Sequence, residues 1–328
     1  MAKLTLSGLQ SFVSTYVAAA KQAGAWDDTT NNTIGLLDKV GKQITLDGTF
    51  NDKLPELSGD DLPLGKTIEE WFIDLTLPSD YDSTGAYAMA PADPSVEDVA
   101  YSYTLGRKKV KTTRRYDDVE RASLTAEGAG SIIAKILERL YNSQSVYEYA
   151  AKKQLLGNAI AKGIGATNAS NMIITIAKPT DSTTGEALIK QIKKDIEKAQ
   201  FVNEGNNLGN YLIGASPSLK LYFSIGILPE LEVDTFAGAF HREDLALPVE
   251  IGIVDDFGVI NVSDTDYSDK FFGLLCDPRG IKLHTGYRAV RTQENADGDF
   301  INFYYHSEFT GYISKSTFFR FYRIPDAA

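Results

Sequence analysis

The residue types that most often bind metals or act as nucleophiles are few and scattered in this chain. Its 328 residues include three histidines (His241, His284 and His306) and one cysteine, Cys276. None of the histidines lies at the spacing by which two side chains of one helix or loop share a zinc ion. A single cysteine forms neither an intramolecular disulfide nor a cysteine-based zinc site. The sequence therefore predicts no metal site and no cofactor.

Paired carboxylates are the other candidates for chemistry, because glycosidases use two of them for acid–base catalysis. The chain has three such pairs: Asp60-Asp61, Asp117-Asp118 and Asp255-Asp256. Adjacent residues on a strand point to opposite faces, so roles in turns and caps are favoured over convergence on a substrate. The sequence has no nucleophile elbow, phosphate loop or zinc-protease motif, and Gly163-Ile164-Gly165 lacks the third glycine of a dinucleotide site. We predict no catalytic residue; an α/β enzyme with an unrecognised acidic site stays as an alternative.

Charge is distributed unevenly along the chain, whose net charge is −11. Between positions 47 and 98 there are thirteen acidic and two basic residues, and between positions 101 and 121 there are seven basic and three acidic residues. Residues 66–77 and 100–116 have the alternation of strands, and the connection of roughly 20 residues is far longer than an ordinary hairpin turn. The sequence therefore predicts a projecting hairpin with one acidic and one basic arm.

Opposite charges on the two arms favour docking of the hairpin on a neighbouring copy, where they would fix the register of the contact. A merely solvated hairpin and a basic arm that binds nucleic acid are the alternatives. The predicted inter-subunit contact residues are Trp71, Asp74, Asp80, Asp82, Arg107, Lys108, Lys109, Lys111, Arg114 and Arg115.

Helical and strand periodicities define the elements around this hairpin. Apolar residues at helical spacing predict a short helix over residues 5–23 and a long one over residues 123–161, capped by Ser123 or Thr125. The next region alternates: a strand at 172–177, a helix at 185–200, a strand at 210–213 and a helix from Ser216. In the helix at 185–200, an apolar stripe opposes a lysine face that we interpret as solvated. Strands follow at 281–292, 300–312 and 317–324, the first two joined around Asp297-Gly298 as a hairpin.

This order of parts resembles the major capsid proteins of tailed bacteriophages, which share the Hong Kong 97 fold with encapsulins. The run at residues 210–217, followed by Leu219 and Leu221, is similar to the strand-then-helix step of capsid axial domains, and residues 311–313 precede an aromatic strand like their closing strand. The resemblance implies an α+β fold with an N-terminal arm (1–62), an extended loop (63–120), a spine helix with part of a peripheral subdomain (121–164), an axial subdomain (165–280) and a strand-rich return to the peripheral subdomain (281–328).

The resemblance also implies a function: a non-enzymatic major head protein that assembles into pentamers and hexamers and closes an icosahedral or prolate shell around double-stranded phage DNA, without sequence readout. It implies a virion protein, assembled in the host cytoplasm, with a portal protein as a partner and no membrane. Only a short helix and arm precede the extended loop, so we expect a separate scaffolding protein, or none. An encapsulin-like compartment is the main alternative, and a tail or portal component is a further one.

The charge-split hairpin gives a direct test. We expect that Arg114→Glu combined with Arg115→Glu leaves the subunit folded but blocks shell closure, because both changes reverse charge in the predicted contact. Circular dichroism checks the fold and negative-stain microscopy checks the shells. Normal shells from the double variant would count heavily against docking by charge.

Overall fold

The computed structural model describes residues 50–62, 68–73, 96–101, 103–115, 126–216, 218–231, 247–298 and 300–326. The helices are α1 (Ala126–Gly165), α2 (Ala169–Met172), α3 (Ser182–Ala199) and α4 (Ile227–Glu230). The strands are β1 (Ser58–Asp61), β2 (Ile68–Ile73), β3 (Val96–Tyr101), β4 (Tyr103–Arg115), β5 (Ile173–Thr175), β6 (Lys220–Ser224), β7 (Glu250–Val254), β8 (Asn261–Val262), β9 (Thr265–Asp266), β10 (Phe271–Cys276), β11 (Ile281–Asn295), β12 (Phe300–Ile313) and β13 (Phe319–Arg323). Within these ranges no helix is long and apolar enough to cross a membrane.

The strands form two larger sheets and two ribbons. One sheet has the order β1-β11-β12-β4 and the other the order β5-β13-β10-β6-β7, while β2 pairs with β3 and β8 with β9. Sheets of mixed direction together with α1 and α3 make this an α+β fold, as the sequence predicts.

The chain divides into two compact units. Of the described residues, the smaller unit contains 50–52, 107–115, 126–148, 287–298 and 300–308, and the larger unit contains the others.

The core of the larger unit lies between α3 and the five-stranded sheet. The predicted stripe of α3, which includes Leu188, Ile192 and Ile196, is buried and packs in one cluster with residues of β6, β10 and β13. Of the four lysines on the predicted polar face of α3, Lys190, Lys194 and Lys198 are exposed and Lys193 is half-buried. The helix begins at a capping box in which Asp181 accepts from the Thr184 backbone N–H and the Thr184 hydroxyl accepts from the Asp181 backbone N–H.

Helix α1 confirms the long helix predicted over residues 123–161, although it ends four residues later, at Gly165. Its 40 residues give a length of about 60 Å. The helix lies against C-terminal strands: in the smaller unit Tyr141 meets the Tyr305 ring edge-on at 5.5 Å. In the larger unit, a Cβ on Gly163 would lie 2.2 Å from the Phe321 ring, so only glycine permits this approach.

Two parts of the hairpin prediction are wrong in detail. The acidic strand β2 pairs with β3, which begins four residues before the predicted partner strand, and the basic strand β4 pairs with β12 instead. The predicted second strand spans both β3 and β4, and these two strands have different partners. The acidic and basic segments are therefore not the two paired arms of one hairpin.

The prediction of a helix from Ser216 is also wrong, because residues 220–224 form β6. Leu221, Tyr222 and Phe223 are all fully buried, which is the continuous apolar run of a strand inside a sheet and has no helical period. The strand predicted at 210–213 is reduced to one isolated bridge between Asn203 and Ile213.

Other predictions fall outside the described residues: the helix at 5–23, most of the arm, the caps Ser123 and Thr125, and the connection between β2 and β3. Of the arm, residues 50–62 are described, and Leu54 and Leu57 in it are fully buried. Strand β1 runs parallel to β11, with Ser58 opposite Leu283. Residues 53–62 of the arm therefore belong to the larger unit, and Leu54 and Leu57 are part of its buried interior.

A buried ion pair joins α3 to β13. The Arg320 guanidinium lies 3.1 Å from the Asp195 carboxylate, and the two side chains are 2% and 1% exposed. The Tyr322 hydroxyl donates to the other carboxylate oxygen of Asp195 at 3.1 Å. Both charges are removed from water, so each depends on the other for compensation.

We expect Arg320→Met to lower the free energy of unfolding by about 3–5 kcal/mol, because it leaves the Asp195 carboxylate buried without its counter-charge. Urea denaturation of the unassembled subunit measures the change. The matched control is Lys190→Met, which removes the exposed pair with Glu186 on the same helix and should cost less than about 1 kcal/mol. Equal decreases in the free energy of unfolding of the two variants would show that the buried pair matters no more for stability than the exposed one.

Candidate inter-subunit surfaces

The ribbon of β2 and β3 is attached to the larger unit through one face. The Glu70 carboxylate accepts from the Ser314 hydroxyl at 2.5 Å, from the Lys315 backbone N–H at 3.2 Å and from the Ser316 hydroxyl. Three donors converge on one carboxylate, and hydrogen bonds to a charged acceptor are about twice as strong as neutral ones. Glu70 therefore holds β2 to the turn that precedes β13.

Aromatic packing reinforces this attachment two residues further along β2. The Phe72 ring stacks on the Tyr211 ring at a centroid distance of 4.1 Å. The Tyr211 hydroxyl donates to the Glu97 carboxylate of β3 at 2.6 Å. Because Phe72 and Glu97 are directly opposite in the ladder, Tyr211 contacts both strands of the ribbon.

The opposite face of the ribbon is exposed and apolar. Trp71 is 64% exposed, Ile73 58% and Val96 50%. Ile73 and Val96 are paired across the ladder, and Trp71 lies two residues from Ile73, so the three side chains share one face. We call Trp71, Ile73 and Val96 the ribbon face. Of the residues that the sequence predicted as contacts, Trp71 is the one that lies in it.

The basic residues lie on β4, an edge strand of the four-stranded sheet, in the smaller unit. Arg107, Lys109, Lys111 and Arg115 alternate along the strand and share one side of it, which we call the basic face. The Arg107 guanidinium lies 3.1 Å from the Glu308 carboxylate and 4.4 Å from the centre of the Tyr287 ring. The ammonium groups of Lys109 and Lys111 lie 5.7 and 5.8 Å from the centre of the Tyr304 ring.

The predicted basic residues lie on both sides of β4, and they differ in whether they have partners in their own chain. Arg107 has acidic and aromatic partners in its own chain, whereas Lys108 is exposed on the other side of β4. Lysines on an edge strand also discourage unwanted pairing of that edge with other strands. The side chain of Arg114, and all of Asp74, Asp80 and Asp82, lie outside the described residues.

The pair Asp255-Asp256 takes the turn role that the sequence favours, with an added contact. Asp256 accepts from the Gly258 backbone N–H at 2.6 Å, and both carboxylates accept from the Lys153 ammonium, at 2.9 and 3.0 Å. The two side chains converge because they follow β7 in a bend rather than lying on the strand.

The Tyr149 hydroxyl donates to Asp255 at 2.7 Å. Burial, followed by this hydrogen bond, raises the pKa of Tyr149 to about 12. Burial acts to raise the pKa of Asp255, but the hydrogen bonds from Lys153 and Tyr149 outweigh it and hold that pKa below its ordinary value, so Asp255 is ionised at neutral pH. In the described ranges, no group of three or more His, Cys, Asp or Glu side chains is arranged to hold a metal ion.

The sequence predicted Trp71 and the basic strand as contact residues, but it did not predict the groups that attach the ribbon and so orient Trp71. The Tyr211–Glu97 contact joins residues 114 positions apart and the Ser314–Glu70 contact joins residues 244 positions apart, and nothing in the local sequence marks either one. Alternation of charged and apolar residues in β2 is the one available signal, because it assigns Glu70 and Trp71 to opposite faces.

The fold has known relatives among virus shells. The chain is similar to a chain of the capsid structure of Staphylococcus phage Andhra, with a TM-score of 0.66, 14% identity and 87% of each chain covered. The fold is therefore the Hong Kong 97-type fold of tailed-phage capsids, which confirms the fold class predicted from the sequence.

A family model described as Phi29-like phage major capsid protein matches residues 5–321, and the chain belongs to that family. It is 25% identical to the major capsid protein of Bacillus phage PZA over 287 residues, covering 86% of this chain and 60% of the relative. It is 24% identical to the major capsid protein of Bacillus phage B103 over 279 residues, covering 83% of this chain and 58% of the relative. The chain thus spans about 60% of the length of these relatives. The matches do not favour an encapsulin-like compartment or an enzyme.

The attachment of the ribbon can be tested without assembly. Glu70→Ala removes the acceptor for three donors, so we expect faster amide hydrogen exchange in residues 68–73 and 96–101, with the core strands unchanged. The control is Glu69→Ala, which removes the neighbouring carboxylate on the exposed face. Hydrogen exchange with mass spectrometry measures both. If the Glu70 variant exchanged no faster than the control, the carboxylate would not be what attaches the ribbon.

Proposed function

We propose that copies of this chain assemble into pentamers and hexamers and close a shell around double-stranded phage DNA. The observation that carries the proposal is the match of residues 5–321 to a phage major capsid protein family. The ribbon face supports it, because a rigidly attached apolar surface exposed on a single subunit fits a role in contact with another molecule.

The ribbon face has the energy for a specific contact. Full burial of one large apolar side chain contributes about 1.5–3 kcal/mol, and tryptophan is among the residues that most often dominate an interface. Trp71 and Ile73 are each more than half exposed, so most of this energy is available only when a partner covers them. The attachment through Glu70 lowers the cost of ordering the ribbon on binding.

Charge favours the basic face of a second copy as that partner. The ribbon lies within the acidic segment at positions 47–98, and Glu69 is exposed on the same side of β2 as Trp71. The basic face has Lys109, Lys111 and Arg115 exposed, with the Tyr304 ring beside the lysines. Complementary charge steers copies together and fixes their register, while the apolar side chains supply most of the affinity. In this proposal Asp74, Asp80, Asp82, Lys108 and Arg114 extend the same contact.

The proposal gives the chain no catalytic role and no cofactor, in keeping with a structural family. DNA is enclosed without readout of its sequence. The net charge of −11 is compatible with this, because repulsion from packaged phosphate is tolerable when protein contacts close the shell. A portal protein and a separate scaffolding protein are the further partners, and the shell is assembled in the host cytoplasm and retained in the virion.

The ribbon face provides the test. Trp71→Ser should leave stability within about 0.5 kcal/mol, because the side chain is exposed, but should greatly reduce the fraction of protein in shells. Sedimentation velocity and negative-stain microscopy measure that fraction. The matched control, Val290→Thr, alters an exposed side chain of another strand, 43% exposed, and should assemble normally. Shells formed by the Trp71 variant in normal yield would remove the ribbon face from the proposal.

A further inference from the structure

Two apolar features of the larger unit remain without a role in the contact proposed above. The first is a knob, formed by Phe201 and Val202, which follow α3 and are 70% and 58% exposed. Its backbone is fixed: the Phe201 N–H donates to the Lys198 carbonyl at 3.2 Å, and the Asn203 side chain donates to the Phe201 carbonyl at 2.9 Å. Two neighbouring apolar side chains are thus presented to solvent by an ordered turn.

The second feature is an open pocket of about 270 Å³. Phe257, Phe271 and Phe272 line it and are almost fully buried, while Ile225 at its edge is 69% exposed. Its volume is below the range of about 300–1,000 Å³ usual for small-molecule sites, so side chains are better suited to fill it than a ligand. The pocket has an apolar floor and an exposed apolar edge, which are the properties of a receptor for apolar side chains.

The knob and the pocket lie on opposite sides of the five-stranded sheet, at opposite ends of its strands. Strand directions place the ends of β5, β6, β7 and β13 and the start of β10 on one side of the sheet. The pocket residues Ile225, Asp255 and Ile324 directly follow three of those ends, and Lys178 lies three residues beyond β5. Helix α3 leads away from that side. After α3 and the knob, the Asn206 carbonyl accepts from the Phe319 N–H at the start of β13. This contact places the knob region at the opposite ends of the strands from the pocket.

Charges around the two features are complementary. Asp255, Asp256 and Asp269 line the pocket together with Lys178, and Lys153 pairs with Asp255 and Asp256, so three acidic groups stand against two basic ones. The exposed residues of α3 that lead to the knob include Lys190, Lys194 and Lys198, against Glu197. From the sequence we interpreted this lysine face as merely solvated. In the structure it has an acidic counterpart at the opposite ends of the strands of the same sheet.

We propose that Phe201 and Val202 of one copy insert into the pocket beside Ile225 of the next copy, so that copies associate head to tail. A contact between two different surfaces repeats in one direction and closes into a ring when the rotation between copies allows it. This inference rests on the proposed function, since it assigns a contact within the pentamers and hexamers. It is independent of the contact between the ribbon face and the basic face.

Cysteine cross-linking tests the geometry. Shells of the full chain carrying Val202→Cys and Ile225→Cys together are treated with a short thiol-specific cross-linker and run on a denaturing gel. We expect a ladder that reaches five and six linked chains. Cys276 is fully buried, and burial raises the pKa of its thiol, so it does not react. Each single variant should stay monomeric on the gel, because a head-to-tail contact never brings two copies of the same residue together.

The outcomes separate this inference from the proposed function. Shells without a ladder would overturn the head-to-tail contact and leave shell formation intact, and dimers from either single variant would indicate a symmetric contact instead. If the wild-type chain formed no shells at all, the proposed function would fail as well. If the double variant does not assemble, Phe201→Ser tests the head-to-tail contact instead. This variant should fold with unchanged circular dichroism, and its shell yield should fall at least tenfold. Wild-type yield from Phe201→Ser would overturn the inference.

Discussion

The Glu70 carboxylate determines which side of the ribbon a neighbour can reach. A two-stranded ribbon is marginally stable alone and its side chains alternate between two faces, so fixing one face exposes the other. Three donors from the turn at residues 314–316 fix the Glu70 side, and the Phe72–Tyr211 stack does so again two residues along. Trp71, Ile73 and Val96 are exposed as a consequence of this attachment. The apolar surface is thus a product of the internal packing, and no separate element is needed to present it.

That attachment depends in turn on β13, which begins just after the turn and lies between β5 and β10 in the sheet. Asp195 of α3 contacts both Arg320 and Tyr322, which lie two residues apart on the same side of β13. A shift of α3 by one turn along the strand would break both contacts and leave charges buried. A buried ion pair gives little net stability compared with apolar packing, but removing one partner is costly, so the pair penalises other positions of the helix. The turn that holds Glu70 is thereby tied to a strand of defined position.

Elements with a strong local period could be predicted from the sequence, and tertiary relationships could not. Helix α3 and the strands β11 and β12 follow from spacing alone, and α1 was found with its end displaced by four residues. Strand β6 was missed because Leu221, Tyr222 and Phe223 are buried on both sides and show no alternation. The ribbon was paired with the wrong partner because charge indicates that segments interact but not which residues are opposite each other. The apolar part of the candidate surface, Trp71, was predictable from alternation, whereas the contacts of Glu70 join residues 244 to 246 positions apart and have no local signal.

None of the proposed contact surfaces is complementary to itself. The ribbon face is apolar with acidic neighbours, the basic face combines lysines with Tyr304, the knob follows a lysine-rich helix and the pocket is lined by aspartates. Two copies brought together by the same surface would oppose like charges, so each surface needs a different one on the next copy, and closed dimers are disfavoured. The ribbon face exposes three large apolar side chains, the knob two and the edge of the pocket one, so each exposed apolar patch is small. In a closed ring every copy is held at two contacts. When one contact opens, the other keeps the separated surfaces close together at a high effective concentration, so contacts that are weak singly become stable together.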